Sequence, residues 1–315
     1  MVMDPYSLVT RNAVEIITEK ELHDLLTKSQ KRVYAGYEPS GEIHLGHLVT
    51  INKLLDLQQA GFEVVVLLAD LHAFLNRKGT MDEVRALAEY NQLCFEGLGL
   101  CNVEYVLGSD LQLNPEYQLL VLRLSQEITL NRATRSMDEV GRQMDNPMVS
   151  QMIYPIMQMV DIARLGLDAA VGGIDQRKIH MLAREHLPSV GYSAPLCIHT
   201  PLLLGLDGQK MSSSRGNYLS VADSEEEINR KMEKAFCPLS IEENPVLQIY
   251  KLHIFPRFCS ITMKRPAKYG GEREFNCYED LEKSYAAKEI HPQDLKKTAT
   301  RYLGDMLFQV RHYLA

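Results

Sequence analysis

The sequence predicts an α/β protein, a parallel-sheet domain of nucleotide-binding type followed by a small domain of helices. Three observations carry that prediction. Short valine-rich runs at 33–37, 64–69, 103–107 and 169–171 alternate with helical patterns over about 45–60, 81–98, 116–137 and 175–187. The run at 64–69, Val-Val-Val-Leu-Leu-Ala, has no polar alternation, the mark of a strand buried on both faces. After residue 215 the strand runs fade, and helical patterns remain over about 223–236, 244–252, 279–287 and 292–312. Strand–helix alternation implies a sheet covered on both faces, with ligands at the carboxyl ends of its strands near a topological switch point.

Local signals support these elements in order. Thr18-Glu19-Lys20-Glu21 and Thr80-Met81-Asp82-Glu83 are capping boxes that open helices. Asp223-Ser224 opens an acidic first turn ahead of Ile228 and Met232. The polar stretch Arg215-Gly216-Asn217 marks the domain boundary. It divides residues 1–218, with an inserted helical segment at about 112–150, from residues 219–315.

The composition bounds the class. With 315 residues, 45% of them apolar, the chain can bury a large core. It lacks a signal-peptide pattern at the N-terminus and any run of 18 apolar residues, so a soluble cytoplasmic protein without a membrane partner is expected. Six cysteines form no CxxC pair and read as reduced, mostly buried thiols. The net charge of −7, taken alone, argues against a nucleic-acid partner, and no DNA partner is expected; the charge is uneven, however, since from Arg230 onward 15 Lys/Arg face 11 Asp/Glu. A mildly basic tail half is compatible with RNA contact without demanding it.

Three motifs carry chemistry. Glu38-Pro39-Ser40-Gly41-Glu42-Ile43-His44-Leu45-Gly46-His47 follows the first strand and opens a helix, whose N-terminus attracts an anion. Gly46 clears the backbone for a nucleoside, and His44 and His47 share one side of the turn, in reach of a phosphate. A metal is the rival reading of His-x-x-His, but no third ligand stands at suitable spacing. Gly208-Gln209-Lys210-Met211-Ser212-Ser213-Ser214-Arg215-Gly216 offers one ammonium and three hydroxyls to a polyphosphate; taken alone, such a loop is a linker as readily as a site. Tyr154, Gln158 and Asp161, at i, i+4 and i+7, form a stripe roughly 60° wide on an otherwise apolar helix. Burying a carboxylate and an amide there is costly without partners, which points to a ligand; a solvated stripe is the alternative. Gln176 follows another strand end, and Tyr34 lies in the first strand, where core packing is its plain reading.

His-Leu-Gly-His with Lys-Met-Ser-Ser-Ser about 165 residues later resembles the HIGH and KMSKS signatures of class I aminoacyl-tRNA synthetases. Ser213 replaces the second lysine, a form similar to the archaeal tyrosyl enzymes. The segments at 67–76, 154–162 and 171–185 resemble the archaeal and eukaryotic tyrosyl-tRNA synthetases, and the resemblance spans nearly the whole chain. It implies a Rossmann-like catalytic domain, a helical anticodon-binding domain and a homodimer. It implies ATP with Mg²⁺ bound through it, L-tyrosine and tRNA(Tyr) as partners, and no metal held by the protein. By resemblance, Tyr34 and Asp161 bond the substrate phenol, and Tyr154, Gln158 and Gln176 hold its amino group, with Glu38 in the same shell. His44, His47, Lys210, Ser212 and Ser213 serve catalysis; Gly46, Lys210, Met211 and Ser213 bind ATP. Tyr269, His291 and Asp294 read the anticodon, and Arg132, Arg177 and Lys178 are candidates for the acceptor end. A tryptophanyl enzyme, a non-catalytic tRNA-binding relative and another adenylyltransferase are the alternatives. A phenol-directed Tyr34 and Asp161 argue against the first, two intact signatures against the second, and the C-terminal RNA features against the third.

Overall fold

Residues 3–141, 145–211 and 215–314 are described by the computed structural model, apart from the side chain of Tyr269. The chain divides into two units. One comprises Met1–Gly41, Lys53–Gln92 and Leu100–Pro201; the other comprises Glu42–Asn52, Leu93–Gly99 and Leu202–Ala315.

The first unit is built on a six-stranded sheet, β1 (Glu15–Ile17), β2 (Arg32–Tyr37), β3 (Glu63–Leu68), β4 (Glu104–Leu107), β5 (Ala169–Gly173) and β6 (Leu196–Thr200), in the order β1-β6-β5-β2-β3-β4. β2 to β6 run parallel, and β1 is antiparallel to β6. The order reverses between β2 and β5, so their carboxyl ends flank the switch point. β3 is buried from Val64 onward, as its unbroken apolar run requires. The four predicted strands are present. β1 and β6 were not predicted: β1 has three residues, and β6 carries a histidine within an apolar run.

The capping boxes at Thr18 and Thr80 form, with Thr18 accepting from Glu21 N and Thr80 from Glu83 N, both at 3.3 Å. The helix expected over 116–137 is two helices, Pro115–Ser125 and Leu130–Met137. Thr129 separates them, because its hydroxyl accepts from Arg132 N and caps a new helix instead of continuing the old one. The cysteines are all free, but only Cys94 and Cys197 are buried; Cys101 and Cys259 are exposed, because both lie in connections.

In the second unit, Glu42–Asn52 is tied to the tail by backbone bonds. Leu45 N donates to Leu219 O at 3.1 Å and Val221 N to Ile43 O at 2.9 Å. The unit is mainly helical, with Glu225–Lys234, Pro245–Ile249, a π-helical turn Tyr250–Ile254, Tyr278–Ala286 and Pro292–Tyr313. A two-stranded sheet of β7 (Ile261–Met263) and β8 (Arg273–Phe275) interrupts the helices. Strands of three residues are too short to show periodicity, which is why none was predicted. Among the described residues no helix is long and apolar enough to cross a membrane.

Gly97 shows how tightly this unit is packed, since a Cβ there would stand 2.7 Å from Val310 Cα in the last helix. Gly97 ends a helix, where alanine ordinarily stabilises by up to about 1 kcal/mol. Here Gly97→Ala is expected to destabilise by about 1–3 kcal/mol, because backbone must move. Thermal unfolding reads the difference as a Tm lowered by several degrees; a raised Tm would contradict the close approach.

Candidate active site

The first unit brings Tyr34, Glu38, Tyr154, Gln158, Asp161 and Gln176 to the switch-point end of the sheet. Tyr34 lies in β2, Glu38 just beyond it, and Gln176 three residues past the end of β5. The other three project from the Val149–Arg164 helix. Its predicted stripe is not a solvated face: Tyr154 is 6% and Asp161 0% exposed.

Asp161 has an asymmetric environment. Its Oδ1 accepts from Tyr117 OH at 2.7 Å and from Gln112 Nε2 at 2.9 Å. Its Oδ2 has no hydrogen-bond partner among the described residues; His72 Nε2 stands 3.8 Å away. Burial pushes this carboxyl up to about 7, against the pull of those two donors. The hydroxyl of Tyr34 is likewise buried with no hydrogen-bond partner among the described residues, and burial, then the charge of Asp161, raises its pKa against the pull of the Gln158 amide.

Gln112 Nε2 also lies 3.1 Å from His72 Nδ1. An amide N–H only donates, so His72 Nδ1 accepts and its proton sits on Nε2, toward Asp161. Burial pushes His72 down to about 4, which keeps it neutral. Its ring meets Tyr154 edge-on at 4.4 Å. Glu38 accepts from Asn76 Nδ2 at 3.1 and 3.3 Å and from Tyr154 OH at 3.5 Å, with Lys78 at 3.9 Å. Gln158 Nε2 donates to Gln176 Oε1 at 3.3 Å, linking the two amides. Gly36 is the one exposed residue of β2, on the same face as Tyr34. With no Cβ, it leaves open the floor beside the Tyr34 ring.

Sequence reasoning missed His72, Gln112, Tyr117, Asn76 and Gly36. His72 and Asn76 lie in a segment noted only for its resemblance. Gln112 and Tyr117 lie in the helical segment at 112–150, where nothing in the pattern separates a pocket residue from an ordinary one.

The second unit brings the two signature motifs together. His44 precedes the Leu45–Gln59 helix and bridges to Ser220. Gly46 N donates to His44 Nδ1 at 3.1 Å, and His44 N to His47 Nδ1 at 3.2 Å; the two rings are 4.0 Å apart. Nδ1 accepts in both, so each proton sits on Nε2. Burial pushes His44 down to about 4, so it acts as a neutral donor and not as a cation. A Cβ on Gly46 would stand 2.9 Å from His44 Cε1 and 3.2 Å from Met211 Sδ, which places Met211 against the glycine. Asn217 Nδ2 donates to Lys210 O at 3.1 Å and to Asp207 Oδ1 at 2.8 Å, holding the loop stem and leaving the Lys210 side chain exposed. Tyr218, also missed, donates to Glu42 at 3.2 Å and packs on His44 at 5.1 Å. Ser212 and Ser213 lie outside the described residues.

Of the RNA candidates, Arg132 pairs with Glu185 (2.6 Å to Oε1), Arg177 with Glu15 (2.8 and 3.0 Å), and Lys178 with Glu139 and Asp138 (3.3 and 3.4 Å). These are exposed pairs, each worth about 0–1 kcal/mol, so a phosphate can displace the carboxylate. His291 caps the Pro292–Tyr313 helix through Gln293 N (3.1 Å), with Asp294 in its first turn.

A buried hydroxyl pocket in a doubly wound sheet, with HLGH and KMSSS in the second unit, defines a class I aminoacyl-tRNA synthetase. The comparisons agree: residues 26–307 match the family described as tRNA synthetases class I (W and Y). The chain is 70% identical over 312 residues to the tyrosine–tRNA ligase of Methanoculleus marisnigri, covering 99% of each chain. It superposes on the tyrosyl-tRNA synthetase of Archaeoglobus fulgidus, solved with L-tyrosine, with a TM-score of 0.97 and 56% identity, covering 99% of each. The tryptophanyl-tRNA synthetase of Aeropyrum pernix, at 22% identity and TM-score 0.76 over 94% of this chain and 81% of its own, shares the fold. The chain belongs to the tyrosine–tRNA ligase family.

Asp161 links this site to stability. Its folded pKa of about 7 lies above the ordinary 3.8, so between those values the folded state keeps a proton that the unfolded state has released. Stability from this group is therefore full below about pH 4 and is lost as pH rises to about 7. Asp161→Asn removes that dependence. The stability of the variant relative to the parent should rise by on the order of 2 kcal/mol from pH 5 to pH 8. Denaturant unfolding at the two pH values checks it; an unchanged difference would mean that Asp161 titrates normally.

Proposed function

We propose that the chain joins L-tyrosine to tRNA(Tyr) in two steps, using the residues placed above. One observation carries the reading: Tyr34 OH and Asp161 Oδ2 are buried polar atoms with no partner among the described residues. A phenol hydroxyl fits both, donating to the carboxylate and accepting from Tyr34. Phenylalanine would leave both unpaired, and an indole N–H, which only donates, would leave Tyr34 unpaired. Tyrosine ligases are known to reject phenylalanine by about 10⁵ without editing, by this logic. Tyr154, Gln158 and Gln176 then hold the substrate's amino group, and Glu38 adds negative charge beside it.

In the first step the tyrosine carboxylate attacks the α-phosphorus of ATP, giving tyrosyl-adenylate and releasing pyrophosphate. In the second a ribose hydroxyl at the tRNA end attacks the tyrosyl carbonyl and AMP leaves. No side chain forms a covalent bond to the substrate, so catalysis consists of positioning and charge stabilisation. His44 and His47 donate neutral hydrogen bonds to phosphate oxygens, while Lys210 supplies positive charge with Ser212 and Ser213. Gly46 and Met211 border the nucleoside. Mg²⁺ would enter bound to the ATP phosphates and would supply positive charge to the leaving pyrophosphate. Residues 1–218 carry this chemistry; 219–315 bind the anticodon through Tyr269, His291 and Asp294, and Arg132, Arg177 and Lys178 meet the acceptor end. The site of action is the cytoplasm, where the tRNA is.

The test is ATP–pyrophosphate exchange with each of the twenty amino acids. Exchange with tyrosine alone is expected, and exchange with tryptophan instead would overturn the pocket assignment. In the same assay Lys210→Ala should slow exchange by on the order of 10²-fold while leaving tyrosine affinity unchanged.

The homodimer has its own support. Leu113, Leu119, Leu122, Leu130 and Val149 are large apolar side chains 52–77% exposed in and around the helical segment at 112–150. Leu119 and Leu122 share a helix face, and such clusters ordinarily meet another protein surface. Leu122→Glu should convert a dimer into a monomer in sedimentation equilibrium; a dimer of unchanged affinity would rule this face out.

A further inference from the structure

Beside the tyrosine pocket the first unit holds a row of polar side chains that the two reaction steps do not use. Glu15 in β1 and His199 in β6 are partners across the antiparallel pair, and His199 Nδ1 lies 2.9 Å from Glu15 Oε2. His199 Nε2 lies 3.1 Å from His180 Nδ1, and the two rings stack at 5.2 Å. Arg177 Nε donates to both oxygens of Glu15, holding its carboxyl below the usual range. His180 is 1% and His199 0% exposed.

The proton positions follow from the chemistry of the groups. A carboxylate only accepts, so His199 Nδ1 carries a proton and its Nε2 accepts; His180 Nδ1 must then donate. Burial keeps both rings neutral, pushing His180 down to about 3 and His199 also downward. One tautomer and one orientation of each ring satisfy the row.

The row ends at the pocket. His180 lies one helical turn beyond Gln176, and both crowd Gly172. A Cβ on Gly172 would stand 2.9 Å from Gln176 Cβ, 3.0 Å from Gln176 Cγ and 3.1 Å from His180 Cε1. Gly172 is in turn the strand partner of His199, and its carbonyl accepts from Thr200 at 3.3 Å. The stem of Gln176 and the ring of His180 therefore share one small space over fixed backbone, and a rotated ring would displace the amide.

We infer that Glu15, His199 and His180 are positioning residues that aim Gln176, and through it fix the amino group of the amino-acid substrate. The inference rests on the reading in which Gln176 holds that amino group. Two ligands separate the pocket's ends: tyramine keeps the phenol and the ammonium, and 3-(4-hydroxyphenyl)propionate keeps the phenol without the amine. Calorimetry suits the measurement.

His199→Phe keeps the aromatic volume and leaves His180 Nδ1–H without its acceptor. Tyramine should bind about tenfold more weakly, the size of one lost hydrogen bond, and the amine-free acid should change by less than about twofold. Equal losses for both ligands would mean a merely structural role and overturn the inference. Glu15→Ala, at a partly exposed position, should give the same split and serves if His199→Phe fails to fold. Gln176→Ala is the reference. If it alone weakens tyramine selectively, the pocket reading stands and the row is excluded. If it weakens neither ligand, the reading of Gln176 falls and the inference falls with it.

Discussion

A carboxylate with no exposed surface, bonded through one oxygen only, is an expensive thing to keep folded. Asp161 is that group, and much of the first unit follows from it. Tyr117 and Gln112 come from the helical segment at 112–150 to satisfy Oδ1. Gln112 also sets the tautomer of His72, whose ring then braces Tyr154. The Val149–Arg164 helix must be buried on the side that carries Asp161, which explains why its polar stripe is held among apolar neighbours such as Met157 and Val160. In the proposed function the cost of the half-satisfied carboxylate is met by recognition: a buried acceptor beside a buried donor would tell a hydroxyl from its absence, a distinction that apolar packing cannot make at comparable strength.

The sheet order decides where this pocket can be. Reversal between β2 and β5 leaves a crevice at their carboxyl ends, and the chain lines it from both sides: Tyr34, Gly36 and Glu38 on β2 and its exit, Gly172 and Gln176 on β5 and its exit. The glycines matter because the strands are close. Gly36 leaves the floor bare beside Tyr34, and Gly172 gives Gln176 and His180 room to share. In the proposed function the second unit meets a different problem, a flexible polyphosphate, with a helix start. There too a glycine sets the distance, since Gly46 lets His44 and Met211 close on the same backbone.

The elements that could be read from sequence were those with local causes. The run at 64–69 declared β3, and Thr18 and Thr80 declared their helices, because the determining contacts lie within a few residues. The Tyr154, Gln158 and Asp161 stripe could be read for the same reason. The partners that satisfy Asp161 could not: Gln112 and Tyr117 are 49 and 44 residues away, and β6, which carries His199, meets Glu15 across 184 residues. A single long helix over 116–137 was wrong because helical periodicity continues through a cap, while Thr129 uses its hydroxyl to begin again. Short strands such as β7 and β8 are set by pairing, and pairing leaves no periodic trace in three residues.

The distribution of charge is the last link. His72, His180 and His199 are buried and His44 is half-buried, and all four are neutral near physiological pH, so each presents one defined N–H and one defined lone pair instead of a diffuse positive charge. That suits groups whose task is geometry, because a neutral ring in a fixed tautomer distinguishes donor from acceptor. Lys210 is exposed, and Arg132, Arg177 and Lys178 pair with exposed or partly exposed carboxylates. The positive charge of these four side chains is thus kept at the surface, where phosphate groups can reach it and where its desolvation is small. In the proposed function, selection of the amino acid and attraction of the nucleic acid then draw on different physics, one on buried hydrogen bonds that salt does not screen, the other on surface ion pairs that it does.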